Sequence, residues 1–168
     1  ADVLPMAVIE RHGGPGNVGC GFVHNLGLDR GAIATTVAHD AHNCIVAGVS
    51  HDAMATAANH LREIGGGIAV FDPENDSLTT LPLPVAGLMS DAPIDETARS
   101  FAAVVDAAAD IGLSVPGGVL ELTYLALEVI PALRLTNNGL VDVEAGDDVD
   151  VVVEGRPKHV LGVWIQTA

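Results

Sequence analysis

The chain has little positive charge, few aromatic side chains and no long apolar run, and each shortage excludes a class of protein. Only 7 Lys and Arg residues stand against 22 acidic residues, which gives a formal net charge of −15. Such a field repels phosphate backbones and argues against nucleic-acid binding. No apolar run approaches the roughly 20 residues of a membrane span, and the N-terminus has no signal-peptide pattern. We therefore expect a cytoplasmic protein that does not enter membranes.

The acidic residues are spread along the chain, and only residues 147–150 form a cluster. This scatter favours a general solubility adaptation, as in halophilic proteins, over an acidic face for a cationic partner. A salt-loving source is therefore a hypothesis. Equal thermal stability in dilute buffer and in molar salt would contradict it, because counter-ions screen the self-repulsion of such a chain.

Nucleophilic and redox chemistry has little support in the sequence. The two cysteines, Cys20 and Cys44, lie outside any Cys-x-x-Cys pattern, so we expect reduced, apolar side chains. His42 lies two residues before Cys44, which leaves a Cys–His pair open, although a buried thiol is usually inert. No serine lies in a Gly-x-Ser-x-Gly elbow.

Hydrophobic periodicity predicts two helices among short strands. One helix includes Met54 to Ile64, with Ser50 or Asp52 as its cap and glycines 65–67 as its end; the other covers residues 95–111. Apolar or alternating runs predict strands at residues 6–10, 32–38, 44–49, 68–71, 78–83, 140–143, 149–153 and 160–165, the last pairing across a turn at residues 155–158. Residues 18–28 and 117–130 fit neither pattern clearly. The order predicts a mixed α/β (α+β) domain, with helices packed on a single sheet and no TIM barrel in this chain.

Three segments place polar side chains beside predicted strands, where binding groups usually gather. The candidate substrate or interface residues in them are Glu10, Arg11, His12, His39, Asp40, His42, Asn43, Ser90 and Asp91. Each segment has an alternative interpretation. Residues 10–12 can be a solvated loop with a local ion pair, and residues 39–43 can be a turn bonded to its own backbone. Residues 90 and 91 can end an apolar loop that packs into the core. His39, Asp40 and His42 are metal-competent types, but without a third distant ligand we predict no metal site.

The sequence as a whole resembles the C-terminal region of bacterial and archaeal adenine deaminases over about residues 6–143. The resemblance rests on residues 8–12 (VIERH), 31–43 (GAIATTVAHDAHN), 64–67 (IGGG), 81–90 (LPLPVAGLMS), 129–136 (VIPALRLT) and 139–143 (GLVDV). Several independent strings in the right order make it specific. It implies a C-terminal-like domain over residues 1–143, while residues 144–168 are predicted only from their pattern as strands or a tail of the same domain.

The resemblance implies a family that converts adenine and water to hypoxanthine and ammonia. Those enzymes hold manganese or iron in a TIM-type barrel of the amidohydrolase superfamily, and the metal activates water. The barrel's ligands lie upstream of the matched region, and this chain contains no His-x-His pair. It is also shorter than the roughly 200 residues that a barrel needs. We therefore expect no complete catalytic set and no cofactor on this chain alone.

Two functions stay open at this point. The chain can be the C-terminal domain or subunit of an adenine deaminase, inactive until it joins a metal-binding barrel, with its candidate residues facing that barrel or adenine. It can also be a stand-alone purine-binding or regulatory module without catalysis. A homo-oligomer is compatible with either.

Overall fold

The structure, a computed structural model, describes residues 2–150 and the backbone of residues 159–160 and 163–164. The strands are β1 (Val3–Ile9), β2 (Val18–His24), β3 (Ala32–Thr35), β4 (Cys44–Gly48), β5 (Gly67–Asp72), β6 (Ser77–Pro82), β7 (Leu133–Thr136), β8 (Gly139–Asp142), β9 (Asp147–Val149), β10 (His159–Val160) and β11 (Val163–Trp164). The helices are α1 (His51–Ile64), α2 (Ile94–Asp110) and a 3-10 helix (Gly118–Tyr124).

The strands form two antiparallel sheets. The main sheet has the order β10-β11-β2-β1-β4-β3-β5-β6, and the small sheet has the order β7-β8-β9. Helix α1 packs on one face of the main sheet, while α2, the 3-10 helix and the small sheet cover the other face. None of the helices in the described residues is long and apolar enough to cross a membrane.

Alternation along the strands builds a different core on each face of the main sheet. Towards α1 point small residues such as Ala34 and Ala69, which pack around Met54 and Leu61 of the helix. Towards the other face point larger residues such as Ile33, with the leucines of the 3-10 helix and small sheet. Small side chains under α1 let the helix approach the sheet closely, so a core forms with few aromatic residues.

The strand register brings the functional loops together. Ile9, at the end of β1, is paired with Val18 of β2 and with Cys44 of β4. Thr35, at the end of β3, is paired with Ile45 and Ile68. The loops β1–β2, β3–β4 and β6–α2 and the α1–β5 turn therefore all lie at one edge of the main sheet, which we call the loop edge.

Most predicted elements are confirmed. The domain is mixed α/β, with helices packed on a sheet and no barrel in the described residues. The Ser50 hydroxyl caps α1 by accepting from the Ala53 N–H at 3.2 Å, and Gly65 ends it with φ +86°. Strand β4 is buried throughout, as its continuous apolar run predicts.

Some boundaries were predicted wrongly. Strand β3 ends at Thr35 rather than at residue 38, because the Val37 N–H donates to the Thr35 hydroxyl at 3.0 Å instead of to a neighbouring strand; Val37 and His39 therefore do not continue its face. Residues 18–28 contain a strand, and residues 117–130 contain the 3-10 helix. The small sheet adds a second sheet to the predicted one. Residues 151–158, including the predicted turn and the end of the 149–153 strand, lie outside the described residues. The prediction of one strand over residues 160–165 was wrong, because β10 and β11 are two short strands that pair with each other antiparallel in this region.

An ion pair joins the end of β5 to the loop before β3. The Asp72 carboxylate accepts from Arg30 Nε at 3.0 Å and from Arg30 Nη2 at 3.3 Å. Asn75 Nδ2 and the Glu74 N–H also donate to this carboxylate, at 2.8 and 3.0 Å. The Arg30 hydrogen bond is the main reason that the pKa of Asp72 falls to about 2, and the bonds from Asn75 and Glu74 add to it. The Asp72 carboxylate therefore links the β5–β6 turn to the loop before β3.

We predict that Asp72→Asn destabilises the protein near neutral pH and not in strong acid. A carboxyl whose folded pKa lies below its unfolded value stabilises the fold above the unfolded pKa, and this contribution is lost as the pH falls towards about 2. Thermal melts across pH measure the difference between variant and parent, with Asp76→Asn in the exposed turn as control. A difference that stays constant down to about pH 2 would contradict the assignment.

Candidate functional site

Two of the predicted polar segments meet at the loop edge. Arg11, in the β1–β2 loop, donates from Nε to the carbonyl of His42 at 2.6 Å. His12 Nε2 lies 2.7 Å from the carbonyl of Ala41, so its neighbour on the same loop contacts the same segment. Both contacts span about 30 residues of sequence, since the pairs are 31 and 29 residues apart. The β1–β2 loop is therefore docked on the β3–β4 loop.

Arg11 also holds a third loop. Its Nη2 donates to the carbonyl of Ala86 at 2.7 Å, across 75 residues of sequence. Its guanidinium lies against Gly87, where an added Cβ would be only 2.9 Å from Cζ. Gly87 also has φ +73°, a conformation that favours glycine. Thr36 also contacts this loop, because its hydroxyl donates to the Gly87 carbonyl at 2.6 Å.

Glu10 shapes its own loop instead of forming the local ion pair considered from sequence. Its carboxylate accepts from the His12 N–H at 2.6 Å and from the Gly16 N–H at 3.3 Å. The His12 hydrogen bond is the main reason that the pKa of Glu10 is lowered. The carboxylate therefore stays ionised and fixes the turn that presents Arg11 and His12.

His39, His42 and Tyr124 form an aromatic cluster beside Arg11. The His39 and His42 rings meet edge to face with centroids 5.2 Å apart, and His39 stacks on Tyr124 at 6.0 Å. The backbone of His39 is anchored to the 3-10 helix, where its N–H donates to the Thr123 carbonyl at 3.1 Å. Tyr124 is 38% exposed. The cluster thus offers partly exposed aromatic surface at the loop edge.

His42 is held as a neutral imidazole. The Ala38 N–H donates to its Nδ1 at 3.2 Å, which in the neutral ring places the proton on Nε2. Partial burial is the main cause that lowers the pKa of His42, and the charges of His39 and Arg11 add to it. Its backbone has φ +51°, in the left-handed region. A fixed ring with an Nε2–H donor results.

The remaining candidate residues have different surroundings. Asp40 is exposed and lies 3.9 Å from His39 Nδ1. Asn43 is buried and donates to Asn137 Oδ1 at 3.1 Å, so it ties the β3–β4 loop to the β7–β8 turn. Ser90 accepts from the Ala92 N–H at 3.1 Å, and Asp91 is exposed beside it. The structure shows no polar contact between these last two residues and the Arg11 cluster, so their role stays a prediction.

A cavity of about 440 Å³ lies next to Arg11, between the end of β1 and the second half of α1. Its lining includes the polar side chains of Glu10, Arg11, Asn59 and Arg62. Asn59 and Arg62 were not among the predicted candidates, because both lie on the polar side of an amphipathic helix, where such residues are usually only solvated. Tyr124 and Thr36 were missed as well, because nothing in their local sequence distinguishes them.

Within residues 2–150, the structure shows neither a thiolate nor a cluster of metal ligands at this site. Burial raises the pKa of the Cys44 thiol to about 12, so it is not a thiolate at neutral pH. Among the described residues, no group of three or more His, Cys, Asp or Glu side chains is arranged to hold a metal ion. The arrangement can instead donate and accept hydrogen bonds at a rigid, half-buried surface.

Comparison with known proteins gives consistent matches. A family model described as the adenine deaminase C-terminal domain matches residues 1–147. Curated adenine deaminases from Oleidesulfovibrio alaskensis and Brucella abortus are 49% identical over 142 residues and 48% identical over 143 residues, or 84% and 85% of this chain. One from Moorella thermoacetica is 46% identical over 153 residues, or 90% of this chain. These alignments cover 25%, 24% and 25% of the respective relatives, so the chain spans about a quarter of their length.

We predict that Arg11→Ala loosens the β3–β4 and β6–α2 loops together. The variant loses the charge-assisted bonds to His42 and Ala86, so local opening of residues 38–43 and 85–89 should become easier by about 1–3 kcal/mol. Amide hydrogen exchange measures this, with Arg99→Ala on the exposed face of α2 as control. Unchanged exchange in both loops would show that Arg11 does not hold them.

Proposed function

We propose that this chain, which belongs to the family of adenine deaminase C-terminal domains, works as one domain of a larger enzyme. That enzyme converts adenine and water to hypoxanthine and ammonia. The other domain is the metal-binding barrel that the resemblance implies, and it carries the water-activating chemistry. The chain alone is catalytically inactive in this proposal. Its place of action is the cytoplasm.

The observation that carries the proposal is the convergence of the polar segments at one surface. Arg11 alone contacts two further loops, through the carbonyls of His42 and Ala86. Two apolar side chains of the β6–α2 loop, which Arg11 contacts, are solvent-exposed: Val85 is 43% exposed and Met89 is 58% exposed. Exposed apolar groups beside fixed polar groups are typical of a surface that another domain covers.

The chemistry of the loop edge fits a purine ring better than a charged substrate. A neutral purine presents ring nitrogens that accept hydrogen bonds and a flat face that stacks on aromatic rings. The Nε2–H of His42 can donate to a ring nitrogen, and the His39–Tyr124 pair offers a stacking surface. We propose that these side chains orient adenine, or close over it, at the mouth of the barrel.

In the described part of the chain, no group of side chains is arranged to hold the metal that the resemblance implies. His39 and Asp40 are 3.9 Å apart, and His42 contributes its Nδ1 to the Ala38 N–H rather than leaving it free. In the proposal, manganese or iron is therefore held by the barrel, and the residues of this chain bind and position substrate. They also exclude water from the mouth of the site.

A chimera tests the proposal. The catalytic region of the Oleidesulfovibrio relative, with its matched C-terminal segment deleted, is fused to this chain and assayed for adenine loss with manganese. We predict turnover by the chimera, none by the isolated chain, and a fall in kcat/KM of about tenfold or more for His42→Asn, since one hydrogen bond to the purine is lost. Asparagine tolerates the left-handed backbone at this position.

The matched control is His60→Asn, on α1, where the ring bonds Thr80 away from the loop edge. Turnover by the isolated chain at the chimera's rate would refute the division of labour, and would instead favour catalysis within this domain. Equal kcat/KM for the two histidine variants would refute the role of the loop edge in substrate positioning. A chain that binds adenine but never restores the chimera would favour the stand-alone binding module.

A further inference from the structure

The cavity beside α1 is separate from the aromatic cluster and has its own chemistry. Its lining includes the apolar side chains of Ile9, Ala58 and Leu61. The arginines at positions 11 and 62 line the same cavity. A cavity of about 440 Å³ falls within the size range of ligand sites, and a mostly apolar lining with a few convergent polar groups is typical of them.

The hydrogen-bonding groups of the cavity are mainly donors. Arg11 and Arg62 bring two positive charges, and the Asn59 amide brings two further N–H groups. The one carboxylate, Glu10, already accepts from the His12 and Gly16 N–H groups of its own loop. The cavity therefore carries a net positive charge in a chain whose formal net charge is −15.

Arg11 is fixed before any ligand arrives. Its Nε and Nη2 are committed to the carbonyls of His42 and Ala86, and its plane lies against Gly87. Nη1 makes no hydrogen bond within the described part of the chain, so it stays available as a donor. A guanidinium that is held in place loses little conformational entropy on binding, which favours recognition of an oxygen anion.

We propose that this cavity is a binding site for a small oxyanion of the carboxylate or phosphate class, held between Arg11 and Arg62 with Asn59 as a further donor. The anion has two sources with the same chemistry. It can be a free ligand, or it can be an acidic side chain of the catalytic region, and this second source rests on the proposed function.

The free-ligand arm uses inorganic phosphate and the isolated chain, in phosphate-free buffer of low ionic strength. Calorimetric titration of the parent should show saturable binding, and Arg62→Gln should weaken it about tenfold, as expected for the loss of one charge-assisted contact. Arg99→Gln removes the same charge from α2 and should leave the affinity unchanged. Neither substitution removes a hydrogen bond that the structure shows within the described residues.

The second arm measures association of the chain in trans with the truncated catalytic region. If phosphate does not bind, Arg62→Gln should weaken this association about tenfold more than Arg99→Gln, which assigns the anion to the partner. If Arg62→Gln and Arg99→Gln behave alike in both arms, the oxyanion site is refuted. The phosphate arm needs no catalytic region, so its result is independent of whether the chimera turns over adenine.

Discussion

One guanidinium organises the loop edge. The Arg11 side chain donates to backbone carbonyls in two loops that lie 31 and 75 residues away along the chain, while it is itself carried by a third. Loop carbonyls have no sheet ladder to satisfy them, so a planar donor with several N–H groups in fixed geometry suits the task. His39 and His42 lie on a loop that Arg11 contacts, and Arg11 also lines the cavity with Arg62.

The fold supplies the geometry that makes this contact attainable. Antiparallel pairing in the main sheet sets the end of β1 beside the starts of β2 and β4, and the end of β3 beside the start of β5. Small side chains on the α1 face let that helix lie close to the sheet, where Asn59 and Arg62 reach the same edge. In a chain whose formal net charge is −15, two of the few arginines, Arg11 and Arg62, line the cavity at this edge.

The elements whose formation depends on neighbouring residues in sequence were predicted correctly. The stripe of α1, its Ser50 cap and the buried run of β4 follow from spacing and from polar boundaries, and these elements formed as expected. Strand β7 was not among the predicted strands, because its apolar run is short and is interrupted by Arg134, whose side chain is buried with Nη1 and Nη2 donating to the Leu133 and Pro131 carbonyls. Its burial lowers the pKa of Arg134 to about 10. The partners of Arg11 are backbone carbonyls, and any residue type supplies one, so no sequence pattern identifies Ala86.

The claim that the loop edge faces a catalytic partner is tested most directly by a hydrogen-exchange footprint. The chain is compared alone and in complex with the catalytic region of a curated adenine deaminase that lacks its own C-terminal segment. We expect slowed exchange at residues 38–43 and 85–91, with the middle of α2 unchanged. Protection confined to α2 or to the small sheet, with the loop edge still open, would contradict it.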